Sequence, residues 1–229
     1  MYNKVGRSTI LYTTTSGKIY PLEIGYTVIP SNKIQVDKKT TQQACLNGCG
    51  LYGRNGGCPP FSPHFYNVCG IETLILYARL NTSDYPARVL YGSYYTRWVF
   101  VETFLTSLTN RLGRFLANEL GCYFLSSGNC HTCRPKRCAL KEEKKCRNPN
   151  GRTYSLESTG VLVSDLMLEF FNIQLQWWRK DDPDYIPEFM VKVIGLTVKD
   201  HFSYPIVEEA VFNSLKKERI KFNPTVPKS

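Results

Sequence analysis

Seven of the nine cysteines in this chain fall into two compact groups, and this pattern constrains the fold more than any other feature. The second group holds four thiols within seventeen residues: Cys130, Cys133, Cys138 and Cys146. The first group lies on a glycine-rich stretch: Cys45, Cys49 and Cys58. Clustered cysteines in short segments are typical of zinc sites and iron–sulfur clusters. The sequence therefore predicts that these seven cysteines bind a metal or a metal cofactor.

The rest of the chain has the composition of a protein with its own hydrophobic core. Hydrophobic residues make up 42% of the 229 positions, which is enough for a core that does not depend on metal alone. We expect a single metal-binding domain over residues 1–222 and a flexible tail over 223–229. The sequence shows neither a secretory signal pattern nor an apolar stretch of membrane-spanning length, so we expect a cytoplasmic protein with no membrane contact. A reducing cytoplasm keeps cysteines as thiols, which favours metal binding over a disulfide framework.

The net charge of +10 is concentrated around the second cysteine group. Residues 134–152 carry eight basic and two acidic side chains, a local charge of +6. Four thiolates around zinc or an oxidised [4Fe-4S] core leave a charge of about −2, which these side chains would offset. The segment would also attract an acidic redox partner protein or RNA. The sequence leaves open whether it does more than balance its own metal group.

Hydrophobic patterning predicts a mixed sheet with several helices. A β-hairpin is expected at residues 8–24, weaker strands at 26–29 and 33–36, and a buried strand at 71–80. Apolar residues recur at helical spacing from 96 to 120, and Gly121 is well placed to end that helix. Five further elements and a turn are expected: strand 122–125, helix 155–171, strand 173–178, turn 181–184, strand 189–198 and helix 204–219. This order indicates an α/β or α+β fold with two cysteine-bearing loops that bind metal.

The spacing of the second cysteine group leaves the metal open. Zinc sites usually show two short Cys hooks, and here only Cys130 and Cys133 form one. Iron–sulfur clusters more often take three or four cysteines from one irregular loop, with a proline behind the last. Pro59 and Pro60 directly follow Cys58 in the first group, and two prolines hold such a turn stiff. These features favour iron–sulfur, with zinc as the alternative.

Both motifs together resemble the DUF2284 family of predicted metal-binding proteins. The matching residues of the first motif are Cys45, Cys49, Tyr52, Gly53, Cys58, Pro59 and Pro60. Those of the second motif are Cys130, Cys133, Cys138, Cys146, Arg147, Pro149, Ser155, Glu157 and Gly160. The resemblance covers about residues 34–175, and the long segment after Trp178 departs from the family pattern. It implies metal or iron–sulfur binding in a small cytosolic prokaryotic protein, with no established reaction.

Three function classes follow from these observations. The first is an electron-transfer or accessory redox protein that holds one or two [4Fe-4S] clusters. The second is an enzyme whose cluster at the first group has an open iron, active in sulfur transfer, desulfuration or RNA thiolation; Cys69 or Cys122 would close that site if either were the fourth ligand. The third is a zinc-stabilised binding module. The sequence assigns no catalytic residue.

A few single residues carry a weaker prediction. His131 and His64 could ligate zinc, although lone histidines are more often structural. Glu157 could act as a base, and Ser155 could equally be the N-cap of a helix with Glu157 in its first turn. The pair Trp177 and Trp178 could stack on bases.

Overall fold

A computed structural model describes residues 4–133, 136–218 and 220–222. Its centre is a seven-stranded sheet in the order β5-β4-β6-β3-β2-β1-β7. The strands are β1 Gly6–Thr13, β2 Ile19–Pro30, β3 Glu72–Asn81, β4 Tyr123–Ser126, β5 Tyr154–Ser155, β6 Phe189–Val198 and β7 Ile220–Phe222. All neighbours pair antiparallel except β4 and β5. A mixed sheet of this kind with helices packed on it is an α+β fold, as the sequence predicted.

The helices cover both faces of the sheet. They are α1 Lys38–Gly48, α2 Ala87–Leu90, α3 Tyr94–Leu120, α4 Val163–Phe171 and α5 Tyr204–Lys217. Helices α3 and α5 lie over one face, where Leu105, Leu112 and Leu215 enter a core with the sheet. Helix α4 packs on the other face through Leu166 and Met167. None of the described helices combines the length and the apolar character needed to cross a membrane.

Strand β3 lies at the centre and is buried on both sides. Residues 73–78 are all buried; Leu74 and Leu76 belong to the core under α3, while Ile75 and Tyr77 belong to the core under α4. Successive strand side chains point to opposite faces, so two cores require a continuous apolar run. This explains why the run at 71–80 lacks the alternation of a half-buried strand.

Most predicted elements are confirmed. The hairpin is formed by β1 and β2, and residues 26–29 continue β2 rather than forming a separate strand. Helix α3 begins at the cap Ser93, whose hydroxyl accepts from the backbone N–H of Thr96, and it ends at Gly121. Strands β3, β4 and β6 and the turn near 181–184 lie where predicted. Helix α5 ends at Lys217, and both residue 219 and the tail at 223–229 lie outside the described residues.

Three predicted elements are wrong. Residues 33–36 form no strand and make only a single bridge, Val36 to Val161. The helix predicted at 155–171 is confined to α4, because Ser155 ends β5 and Gly160 takes a left-handed conformation (φ +104°) that breaks the chain direction. Residues 173–178 are not a strand: Ile173 and Trp178 are buried, but the segment pairs with no strand of the described sheet.

The sequence prediction also missed helix α1, which carries Cys45. The glycines that follow it suggested an irregular loop over the whole first cysteine group. The Asp37 carboxylate accepts from the backbone N–H of Thr40 at 3.0 Å, which is the usual N-cap interaction of a helix. In the first cysteine group, Cys45 therefore lies in a helix, Cys49 at its end and Cys58 in the turn segment that follows.

Candidate metal centre

The four cysteines of the second group line one cavity of about 420 Å³. The chain enters this region from β4 and leaves it at β5, and the four thiols are all half-buried. Five basic residues share the same wall: Arg54, Lys136, Arg137, Lys141 and Arg152. The prediction that Cys130, Cys133, Cys138 and Cys146 lie together is thus consistent with the fold, and their surroundings are cationic.

Helix α3 anchors the start of this cysteine loop. The Asn110 side chain donates to the Ser127 carbonyl oxygen and accepts from the Ser127 N–H, each at 3.1 Å. The hydroxyls of Thr109 and Ser127 lie 2.9 Å apart. All three residues are buried. The loop that begins at Ser127 is therefore fixed to the longest helix of the protein three residues before Cys130.

The three cysteines of the first group lie at the end of α1 and on the turn that follows. Cys45 is in the last turn of α1 and Cys49 is its C-cap, and residues four apart share one helix face. Cys58 precedes the prolines Pro59 and Pro60, which are joined by a cis peptide bond. Cys45 and Cys49 both raise the pKa of the Cys58 thiol through their charge. The fold therefore places the three thiols in one region, and their role as ligands stays a prediction.

The two cysteine groups meet at the glycine-rich segment. The Gly56 N–H donates to Cys138 Sγ at 3.2 Å, and Asn55 Nδ2 donates to the Cys130 carbonyl oxygen at 2.8 Å. A Cβ built on Gly57 would lie 2.8 Å from Cys130 N and 2.5 Å from the Thr153 carbonyl oxygen. Only glycine allows this approach, so the segment between Cys49 and Cys58 is packed directly on the second group.

Arg152 holds this contact from the other side. Its Nε donates to the Gly56 carbonyl oxygen at 2.8 Å, and Nη2 donates to the Phe61 carbonyl oxygen at 2.7 Å. Its guanidinium also lies over the Tyr154 ring, 4.9 Å from the centroid. An arginine fork can bridge two carbonyl groups in fixed geometry. The sequence prediction missed Asn55, Gly57 and Asn110, since no spacing rule relates them to the cysteines, and it included Arg152 only as one charge of the basic segment 134–152.

The thiols differ in how readily they ionise. Burial, followed by the charges of Cys49, Cys45, Cys130 and Cys138, raises the pKa of Cys58 to about 12. Burial also acts to raise the pKa of Cys130, but hydrogen bonds from Thr132 and Thr153 outweigh it, so this pKa lies below its usual value. The electrostatic influence of Cys130 and Cys138 on Cys58 shows again that the groups are neighbours. Metal binding requires thiolates. The lowered pKa favours the thiolate form of Cys130 before any metal binds.

Cys69 and Cys122 lie outside both groups. Cys69 packs against the core under α4 and Cys122 against the core under α3. Burial raises the pKa of each thiol, and no other cysteine contributes to either shift. Neither thiol is placed to complete the first group. The charged neighbour of that group is Glu157, which raises the pKa of Cys45 after burial and Cys49.

The motif residues Ser155, Glu157 and Gly160 position the first group rather than starting a helix. The Ser155 hydroxyl accepts from the Ser158 N–H at 3.1 Å, within the short turn at Glu157–Thr159. This turn packs on α1, and the Gly160 carbonyl accepts from the Asp37 N–H at 2.8 Å. The N-terminus of α1 is therefore attached to the segment that follows the second cysteine group.

The two histidines and the two tryptophans named above lie in four different environments. His64 Nδ1 accepts from the Tyr66 N–H at 3.3 Å, which is a structural role. His131 lines a different cavity, on the α3 side of the cysteine loop. Trp178 is buried beside Tyr85, whereas Trp177 is exposed.

The donor set fits a thiolate-bound metal group, although not a preformed single-ion site. Among residues 4–133 and 136–218, no three His, Cys, Asp or Glu side chains converge on a point that could hold one ion. The four thiols of the second group surround a shared cavity instead. Soft sulfur donors are the ligands that zinc and iron–sulfur clusters prefer. A zinc ion or an iron–sulfur cluster would draw these thiols together when it binds.

Comparison with known proteins agrees with this chemistry. Residues 27–194 match the family described as predicted metal-binding protein (DUF2284). The match extends through most of β6, so the expected departure after Trp178 begins later than the motifs indicated. No curated protein and no solved structure matches the chain. Because more than half of the chain is matched, this protein belongs to the DUF2284 family of predicted metal-binding proteins.

Proposed function

We propose that this protein is an iron–sulfur protein that acts in electron transfer or as an accessory redox protein. Cys130, Cys133, Cys138 and Cys146 would hold one [4Fe-4S] cluster, and a second would lie at the first group. The observation that carries the proposal is the shared cavity of about 420 Å³ lined by all four thiols of the second group. Four cysteines from one irregular loop are a common ligand set for such a cluster.

Two features favour a cluster over a single zinc ion. The thiols are spread around a cavity rather than meeting at an ion-sized point in the described residues, and a cluster spaces its ligands more widely than one ion does. The Gly56 N–H donates to Cys138 Sγ, and hydrogen bonds to ligand sulfur are a means by which proteins set cluster potentials. The zinc-stabilised binding module remains the alternative.

The surroundings of the thiols suit a redox role. A bound cluster supplies one-electron chemistry, and this chain supplies its ligands and the charge around them. The five basic residues of the cavity wall offset the negative charge of four thiolates, and they offer a surface to an acidic redox partner. The neighbouring first group places a second centre close by. Thiol ligands persist best in a reducing compartment, so a cytoplasmic location is part of this proposal.

The position of Cys69 and Cys122 favours a second candidate, an enzyme with an open iron at the first group. Both thiols pack against the hydrophobic cores, so neither is a neighbour of Cys45, Cys49 and Cys58, and the cysteines that do lie near Cys58, Cys130 and Cys138, belong to the second group. Glu157 is the charged side chain next to Cys45, and it could hold a proton during sulfur transfer or desulfuration. Loss of activity without loss of the cluster in Glu157→Gln would support this candidate.

Metal analysis of the protein purified without oxygen tests the main proposal. We expect about eight irons with equal acid-labile sulfide per chain, and bleaching of the visible absorbance by dithionite. Cys138→Ser should lose about four irons, while the matched control Cys122→Ser should keep them all because Cys122 lies in the core. Zinc without sulfide would contradict the proposal and establish the zinc module. Equal iron loss in both variants would contradict the ligand assignment.

A further inference from the structure

A long groove of about 400 Å³ runs along the exposed face of α3. The α3 residues that line it recur every three or four positions from Trp98 to Arg114, and these sixteen steps correspond to about 24 Å of helix. Leu51, Asn129 and His131 form the opposite wall. Asn129 lines both this α3 groove and the cysteine cavity, so the two are adjacent.

One end of the α3 groove carries a pair of exposed aromatic rings. Trp98 lines the groove and stacks with Tyr95, with the ring centroids 6.1 Å apart and the planes at 29°. Tyr95 is 69% exposed and Trp98 is 40% exposed, so the core does not require them. Exposed aromatic side chains beside a groove are platforms on which nucleic-acid bases stack.

The other end of the α3 groove carries two arginines, Arg111 and Arg114. Arg111 is held by Glu218 at 2.9 Å, whereas Arg114 has no ion-pair partner within the described residues. Glu102 is the one carboxylate among the residues that line the groove, and Lys192 neutralises it. Beyond Asn129 the basic wall of the cysteine cavity continues the positive surface. This arrangement suits a ligand with several negative charges.

We propose that the α3 groove binds single-stranded RNA. A site about 24 Å long matches an extended strand better than a compact molecule, and the isoelectric point of about 9.1 lies in the basic range common among nucleic-acid-binding domains. Bases would stack on Tyr95 and Trp98, and phosphates would lie towards Arg114. The hydroxyls of Thr103 and Ser107 line the groove and can contact ribose 2′-hydroxyls. The inference depends on the proposed function only in that the RNA would pass beside the metal centre.

Fluorescence anisotropy with labelled oligo(U) of about twelve nucleotides tests the inference on the anaerobically purified protein. Affinity should fall as salt rises, because phosphate contacts release counterions. Trp98→Ala should weaken binding about fivefold or more. The matched control Trp177→Ala removes a 58% exposed tryptophan that lines neither cavity, and it should bind normally. Arg114→Gln should reduce the slope of log affinity against log salt by about 0.7.

Several results would overturn the inference. These are no binding, equal weakening in Trp98→Ala and Trp177→Ala, equal affinity for duplex RNA, or equal affinity for oligo(dT), which lacks the 2′-hydroxyls. Iron and sulfide measured on the same samples separate this inference from the proposed function. Full iron content without oligo(U) binding overturns the RNA site alone, and oligo(U) binding by a chain that cannot assemble a cluster overturns the iron–sulfur proposal alone.

Discussion

At the scale of single residues, the candidate metal centre is held together by residues that are not proposed as metal ligands. Gly56 and Gly57 let the first cysteine group lie against the second, Asn55 fixes the backbone of Cys130, and Arg152 ties the glycine segment to the end of the cysteine loop. These contacts decide where the sulfur atoms are held. Partners of metal ligands commonly matter nearly as much as the ligands themselves.

Gly57→Ala should separate the two cysteine groups. The added methyl would lie within 2.8 Å of backbone atoms of Cys130 and Thr153, which cannot move as a flexible side chain could. We expect a loss of about 1–3 kcal/mol in the free energy of unfolding and a lower metal content. Urea denaturation and metal analysis measure the two effects.

Gly50→Ala is the matched control, because a Cβ at Gly50 meets no atom within 4 Å. It should leave the metal content and the unfolding free energy near those of the parent protein. An unchanged metal content in Gly57→Ala would show that the close approach of the two segments does not matter for binding.

At the scale of secondary-structure elements, two helices position the cysteine segments of the candidate metal centre. Helix α1 presents Cys45 and Cys49 on one face, and its N-terminus is attached to the segment around Gly160. Helix α3 fixes the start of the second loop through Asn110 and Thr109. The irregular cysteine segments therefore gain their order from regular elements packed on the sheet.

Asn110→Ala should loosen the second loop from α3. The substitution leaves the buried N–H and carbonyl of Ser127 without their partner, and we expect a cost of about 1–3 kcal/mol in unfolding free energy. Metal affinity should fall as well, because the loop loses its fixed starting point. Thermal or urea unfolding of the metal-free and metal-loaded protein measures both.

Asn118→Ala provides the comparison, since Asn118 is exposed on the same helix. Equal destabilisation by the two variants would mean that helix propensity, and not the contact with Ser127, accounts for the effect.

At the scale of the whole molecule, several buried thiols and phenols tie stability to pH. Burial raises the pKa of Cys122 to about 12, and burial with neighbouring thiols does the same for Cys58. Their unfolded values are near 9, so above that pH the unfolded chain releases protons that the folded chain retains. The stability associated with these groups is complete below about pH 9 and is lost as the pH rises towards 12.

We therefore expect the metal-free protein to become less stable between about pH 8 and pH 10.5. Urea denaturation across this range measures the trend, and it should be shallower in Cys122→Val, which removes one of the buried thiols. Rising stability over this range would contradict the assigned burial of these groups.

The local pattern of the sequence was sufficient for the elements that depend on local physics. The helix over α3 follows from apolar residues at helical spacing with Gly121 at its end, and the hairpin follows from two β-prone runs around a turn. The cysteine spacings identified the family and the two cysteine groups proposed to bind metal, because ligand spacing within one loop is itself a local property.

Only the tertiary structure decided what depends on contacts between distant segments. Residues 173–178 have a strand pattern but pair with none of the described strands of the sheet, and Ser155 ends β5 instead of starting a helix. The separation of Cys69 and Cys122 from the first group, the packing of Gly57 on Cys130 and the α3 groove likewise join residues far apart in the chain. Spacing along a sequence carries no record of such contacts, because they are set by how the helices and loops pack on the sheet.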